Sequence, residues 1–142
     1  MKIELVNTAK QQQDEYAVRQ TVFVDEQRVP PELEIDDLED KAIHFVGYQG
    51  EQPIAAGRVR LVDDYGKLER VCVLKEFRGK SFGKQMINEM ERVIANKGLY
   101  KAKLNAQTHA EEFYKSIGYQ TISDEFMDAG IPHVTMVKSL TS

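Results

Sequence analysis

Residues 67–94, KLERVCVLKEFRGKSFGKQMINEMERVI, constrain the fold more than any other part of the chain. Leu68, Val71, Cys72 and Val73 form a β-prone apolar run. A glycine-punctuated loop with three cations follows, Arg78-Gly79-Lys80-Ser81-Phe82-Gly83-Lys84. From Phe82 the apolar residues recur at Met86, Ile87, Met90, Val93 and Ile94, the spacing of one face of a 3.6-residue helix. Lys84, Gln85, Asn88, Glu89, Glu91 and Arg92 form the polar face. A helix N-terminus presents about four unpaired N–H groups and roughly half a positive charge. Strand, glycine loop and helix in this order are therefore suited to holding phosphate.

Two phosphate motifs fail on spacing. Gly79-Lys80-Ser81 would end a Walker loop, but the glycine that motif needs upstream is Leu74. Gly79 and Gly83 likewise do not supply the three glycines of a dinucleotide fingerprint. The stretch resembles instead the pyrophosphate loop of the GNAT acetyltransferase superfamily: Arg or Gln, two residues, Gly, any residue, then Gly or Ala, entered from a Val-rich strand. Arg78, Gly79, Lys80, Ser81, Phe82 and Gly83 follow that pattern, with Ser81 where the family usually places its first motif glycine. If that position needs a left-handed backbone, the serine costs on the order of 1–2 kcal/mol, unless its hydroxyl bonds a phosphate oxygen.

The C-terminal third carries a second match to the same superfamily, whose pattern Asn-x-x-Ala-x-x-Phe/Leu-Tyr-x-x-x-Gly-Phe/Tyr is met by Gln107, Ala110, Phe113, Tyr114, Gly118 and Tyr119. Only the opening Asn is changed. Leu104-Asn105-Ala106-Gln107, Gly130-Ile131-Pro132-His133 and Val22-Phe23-Val24-Asp25-Glu26-Gln27 are similar to the ElaA-like and YjcF-like bacterial subgroup. The resemblance implies a GNAT fold, acetyl-CoA as cosubstrate and an amine acceptor, small molecule or peptide. Many members of the superfamily are dimers, which makes a homodimer the prior.

The bulk properties agree with such a protein. At 142 residues the chain is long enough for one domain with a sizeable core, spanning 1–142. A formal charge of -4 argues against general binding to nucleic acid or anionic membrane, either of which needs a basic face. One cysteine cannot make an internal disulfide, and MKIELVNTAKQQQ has no apolar h-region or Arg-rich presequence. No apolar run of about 18 residues exists. The expectation is a cytosolic protein.

Read in order, residues 3–7 are a strand, Thr8 a helix N-cap, and 11–26 a helix ended by Pro30-Pro31. Residues 32–40, six of nine acidic, read as a solvated loop. Strands are expected at 43–49 and 53–62, joined at Gln49-Gly50-Glu51-Gln52, then at 67–74, 100–106, 119–122 and 133–138, with a short helix at 108–117. The fold class is α+β, a mixed and mostly antiparallel sheet with helices on both faces.

Acetyl transfer from a thioester to an amine needs a pyrophosphate cradle, a donor for the tetrahedral oxyanion, and proton traffic at amine and thiolate. Backbone N–H groups across 79–84 suit the first need. For the second, the resemblance implies that the strand at 68–74 parts from the one at 100–106 and exposes amides near Cys72 and Val73. Tyr114 stands where the family places a phenol that protonates the thiolate; on residues alone it is equally a core-edge tyrosine beside Phe113, which is assigned to the core. Glu69, Glu26 and His133 are candidate bases, each also readable as a paired or structural group. His44 and His109 are read without a role. No His/Cys cluster has metal-ligand spacing, so no metal is expected.

A nucleophilic Cys72 would need a thiolate stabilised by a neighbouring cation or base, whereas a strand thiol is ordinarily a small buried hydrophobe. Direct transfer in a ternary complex is therefore preferred. The acidic 32–40 run would favour a cationic acceptor, and Arg58, Arg60 and Arg70 a carboxylate-bearing one. Three other readings stand beside the enzyme: a non-catalytic acyl-CoA-binding regulator, an acyl-homoserine-lactone synthase suggested by Arg19 to Phe23, and a partner-binding module.

Overall fold

The structure is a computed structural model and describes residues 1–140. Its centre is one sheet of eight strands: β1 (Lys2–Leu5), β2 (Ile43–Gln49), β3 (Gln52–Val62), β4 (Tyr65–Val73), β5 (Lys101–Gln107), β6 (Gln120–Thr121), β7 (Phe126–Asp128) and β8 (Ile131–Ser139). The order is β1-β2-β3-β4-β5-β8-β6, and β7 also pairs with β8. Every pairing is antiparallel except β4 with β5. The mixed, mostly antiparallel sheet expected from the sequence is present.

Helix α3 (Phe82–Asn96) covers one face of the sheet. Met86, Ile87, Met90, Val93 and Ile94, the stripe set by the 3.6-residue period, are buried with Phe45, Ile54, Val59, Leu68 and Leu104. Two glycines let the helix sit close. A Cβ on Gly57 would lie 2.9 Å from the Met90 sulfur, and one on Gly66 would lie 2.4 Å from Cγ1 of Ile94. Glu91, expected on the solvent face, is buried: it accepts hydrogen bonds from the Tyr119 hydroxyl (2.7 Å) and from Lys138 Nζ (3.0 Å). Hydrophobic periodicity cannot distinguish a solvated carboxylate from one with buried partners.

Helix α1 (Ala9–Arg19) lies on the opposite face, where Val18 and Val22 pack on Ala56 and Cys72. Thr8 caps it as expected: its Oγ1 accepts from the Gln11 N–H, while the Gln11 side chain accepts from the Thr8 N–H. The helix does not continue regularly to residue 26. Gln20–Glu26 widens into a π-helix, with the Gln27 N–H reaching back to the Val22 carbonyl. The extra turn width turns Glu26 and Gln27 toward the end of β4 and β5, where Arg78 and Gln107 meet them.

The acidic 32–40 segment is not a solvated loop. It forms the short helix α2 (Pro31–Glu34) and a 3-10 turn (Glu39–Lys41), docked on the sheet by charge. Arg19, with no exposed surface, donates to Glu34 and Glu39 at 2.7 Å each. Arg58 donates to both oxygens of Asp36 (2.8 and 2.9 Å) and to Glu69 (3.0 Å). Arg70 donates to the Glu34 carbonyl (3.0 Å). His44 completes the cluster: Nδ1 faces the Glu15 carboxylate at 2.9 Å and Nε2 the Glu39 carbonyl at 2.7 Å. Both partners accept, so both ring nitrogens donate and His44 is an imidazolium. Burial alone would push its pKa down, but the hydrogen bonds to Glu15 and the Glu39 carbonyl outweigh that and raise it. A sequence scan sees an acidic run; it does not see three arginines and a histidine brought from α1, β2, β3 and β4 to neutralise it.

Gly66→Ala should force Ile94 aside and cost about 1–3 kcal/mol in urea unfolding; unchanged stability would contradict the close packing. His44 is raised above its unfolded value of 6.5, so its contribution is complete below that pH and fades as pH rises through the folded value. His44→Gln should therefore lose about 1–3 kcal/mol at pH 6, with a gap to the parent that shrinks by pH 9. A gap independent of pH would contradict the doubly bonded imidazolium.

Candidate active site

Strands β4 and β5 run together for only part of their length. Gly66, Lys67 and Leu68 pair with Ala102, Lys103 and Leu104, and beyond these residues the two strands have no register. β5 continues on β8 to Gln107, and β4 continues on β3 to Val73, so a cleft opens between them. A bulge marks the parting: Arg70 and Val71 oppose the single residue Gly57, and Arg70 is left-handed at φ 58°.

The bulge decides which amides face the cleft. The Leu74 N–H donates to the Ile54 carbonyl, and Cys72 pairs with Ala56 two residues on. Alternation along the strand therefore sends the Cys72 N–H into the β3 ladder and leaves the Val73 N–H on the open edge. Of the two amides expected at the cleft, that of Val73 faces the open edge and that of Cys72 does not. The Cys72 side chain packs with Val18, Val22 and Ala56, and burial pushes its thiol well above the usual range. A thiol so held is protonated and apolar in behaviour, which disfavours a covalent cysteine route.

The loop after β4 leads through a 3-10 turn (Lys75–Phe77) into α3. Gly79 and Ser81 are both left-handed, at φ 79° and 65°. Ser81, the position where a glycine was missing, thus adopts the conformation whose cost was anticipated from the sequence. It stands at the N-cap of α3 yet makes no side-chain cap, leaving the first amides of a 15-residue helix without a side-chain acceptor. Gly83 has only Phe113 and Val73 within reach of an added Cβ, at 3.9 Å each. Arg78, Gly79, Lys80, Ser81 and Lys84 are exposed, and Phe82 packs against the core. This is a concave stretch of donors with cations at its rim.

Arg78 is already engaged. Its guanidinium donates to both oxygens of Glu26 (2.7 and 2.8 Å) and to the Val73 carbonyl (2.9 Å), tying the loop to the π-helix. The hydrogen bond with Arg78 lowers the Glu26 pKa. Glu69 is held in a similar way by Arg58, Arg60 and Lys67. Burial would raise its pKa, but the Arg60 hydrogen bond and the charges of Arg58 and Lys67 prevail and lower it. A carboxylate held ionised by a paired arginine has a low affinity for a proton, which weakens it as a base. Glu69 is partly buried in this pairing, whereas Glu26 remains exposed beside Arg78.

Tyr114, on α4 (Glu111–Ser116), is partly buried and packs edge-on to Phe113 (5.1 Å) and Tyr119 (5.7 Å). Burial pushes its pKa up to about 12, with the Cys72 sulfur close enough to add to the effect. Its hydroxyl makes no hydrogen bond among the described residues, so it is free to donate. Gln107 closes the mouth of the cleft by donating to Gln27 Oε1 (2.7 Å), with His109 Nε2 on its own Oε1 (2.6 Å). His133 stands directly opposite Gln107 in the β5–β8 register. The π-helix, β7 and the bulge at Arg70 are parts of this site that the sequence did not disclose; Gly57 opposite the bulge was the one available signal.

A parallel pair that opens toward a glycine loop at a helix N-terminus is the arrangement of a known family, whose description is Acetyltransferase (GNAT) domain; its pattern matches residues 5–140. The chain belongs to that acetyltransferase family. It is 48% identical over 139 residues to YjcF of Bacillus subtilis (strain 168), described as an uncharacterized N-acetyltransferase, with 97% of this chain and 99% of that protein covered. Among solved structures, a protein from Lactobacillus plantarum superposes with a TM-score of 0.92 at 29% identity, covering 99% of this chain and 98% of the other. Escherichia coli ElaA superposes with a TM-score of 0.83 at 26% identity, covering 96% and 99%. YjcF and ElaA are the relatives that the residues around the cleft suggested.

Proposed function

We propose that the chain is a single acetyl-CoA-dependent N-acetyltransferase domain in which an amine attacks the thioester directly in a ternary complex. The parting of β4 from β5 above the 79–84 loop carries this reading. Amides of Gly79 to Lys84, with Lys80 and Lys84 beside them, bind the pyrophosphate at the α3 N-terminus. The pantetheine lies along the open edge of β4, and the Val73 N–H donates to the acetyl carbonyl, where negative charge develops during attack. Gln107 and Gln27 bound the pocket on the acceptor side.

Tyr114 serves the departing sulfur. With its pKa near 12, complete proton transfer to a thiolate of pKa about 8.5 is uphill by roughly 5 kcal/mol. The phenol therefore stabilises the thiolate by hydrogen bonding, and the proton follows as the C–S bond breaks. The acceptor's charge is not selected by Arg58, Arg60, Arg70 or the acidic segment, because these groups neutralise one another. Acceptor choice falls to the polar side chains of β5 and β8 that face the cleft.

The deciding experiment is thiol release from acetyl-CoA against an aliphatic diamine, a free amino acid and a lysine peptide. Release that depends on amine supports the transferase; acetyl-CoA binding without any release would favour a non-catalytic acyl-CoA-binding module. Gly83→Glu places a carboxylate where the pyrophosphate is bound and should weaken acetyl-CoA affinity at least about 10-fold with unfolding unchanged. Equal affinity in the folded variant would remove the cradle. Tyr114→Phe should keep acetyl-CoA affinity within about twofold while kcat falls about 10- to 100-fold, and an unaltered kcat would remove the sulfur role.

A further inference from the structure

We infer that His133 is the proton acceptor that converts the ammonium of the acceptor into an attacking amine. The inference rests on the transferase reading above and adds the group that reading lacks.

Three observations converge on this imidazole. Its orientation is fixed: Nδ1 lies 2.7 Å from the Ile131 carbonyl, which can only accept, so Nδ1 carries a hydrogen and in the neutral ring the lone pair is on Nε2. Nε2 makes no hydrogen bond among the described residues. No buried side-chain nitrogen or oxygen among them lacks a partner, so Nε2 is open to solvent although the residue as a whole is only 9% exposed. A histidine buried on every side but one, with a basic nitrogen at the open side, is built to exchange a proton.

Position supplies the second observation. His133 pairs with Gln107 across β5–β8, and directly opposed residues share a face of the sheet. Gln107 reaches across the cleft mouth to Gln27, so that face is the one lining the mouth. One strand spacing, about 5 Å, separates His133 from the β5 edge of the cleft.

The third is the scaffold that holds the ring. His133 also opposes Phe126 in the β7–β8 hairpin and stacks on it, with centroids 6.0 Å apart and planes at 22°. The hairpin turn, Ala129-Gly130, has two left-handed residues at φ 51° and 76°, the type I′ pattern that sets a two-residue register. Phe126, His133 and Gln107 thus stand abreast. His109, a second imidazole beside this set, is bound to Gln107. Glu26 and Glu69, the competing carboxylates, are each paired with arginine and held ionised, which lowers their affinity for a proton.

The proton count closes. Nε2 takes one proton from the ammonium and passes it to solvent; the amine lone pair forms the C–N bond. As the C–S bond breaks, its electron pair stays on sulfur and the second nitrogen-bound proton ends on the thiolate at Tyr114. Amine and acetyl-CoA become amide, free thiol and one released proton.

His133→Asn retains a donor to the Ile131 carbonyl and removes the Nε2 base. Using the diamine, amino acid or lysine peptide that the parent acetylates, kcat/KM of H133N should fall about 10- to 100-fold near neutrality. The acidic limb of the parent pH profile should move up to the amine's own titration near about pH 10, so that the deficit narrows there, and acetyl-CoA affinity should stay within about twofold. His109→Gln should keep the limb. A folded H133N that binds acetyl-CoA and keeps the parent's rate and the parent's limb at the same pH overturns the assignment while leaving the transferase standing. A parent that acetylates none of the three amines overturns the transferase reading, and the base with it.

Discussion

The bulge at Arg70 is the constraint on which the rest of the site depends. A strand held in register with both neighbours has no free edge and no room for a ligand. Two residues of β4 set against one of β3 bend β4 away from β5 and turn the Val73 amide into the gap. A left-handed arginine is strained by about 1–2 kcal/mol. That strain is offset by the Arg70 guanidinium, which reaches the Glu34 carbonyl and the carboxylates of Glu34 and Asp36. The cleft and the acidic segment are therefore linked: the segment that covers the sheet also holds the bulge.

The charge cluster beneath that segment has a second effect. Arg19, Arg58, Arg60, Arg70 and His44 meet Glu15, Glu34, Asp36, Glu39 and Glu69 with almost every polar atom paired. Buried ion pairs contribute little net stability once desolvation is counted, but removing one partner is costly because the other is left uncompensated. The cluster therefore fixes where the segment lies more than how stable the fold is. It also holds Glu69 ionised, and the Arg78 pair does the same for Glu26. The proposed base, His133, is held instead by a backbone carbonyl and carries no carboxylate partner among the described residues.

Several parts of this arrangement are legible in the sequence for definite physical reasons. The α3 stripe follows from a helical period, the Thr8 cap from a side chain that can accept from Gln11, and the strain at Ser81 from a serine where a glycine is expected. Other parts depend on contacts between residues distant in the chain. The partners of Glu34, Glu39 and Glu91 lie up to 47 residues away, so these carboxylates read as solvated when taken alone. The π-helix is invisible because the apolar spacing of Val18 and Val22 suits a regular helix as well. β7 is three residues long, too short to show a period, and only its pairing with β8 defines it. The chemistry at Tyr114 and the cradle was suggested by two motifs; which amide of β4 faces the cleft required the register.

The most direct test of the central claim is amide hydrogen exchange with and without saturating acetyl-CoA. If the opened edge of β4 and the loop below it hold the ligand, protection should rise at Val73 and across residues 79–84, while the amides of β1 and β2 keep their rates. Protection confined to another part of the sheet, or none at all despite binding, would contradict the account.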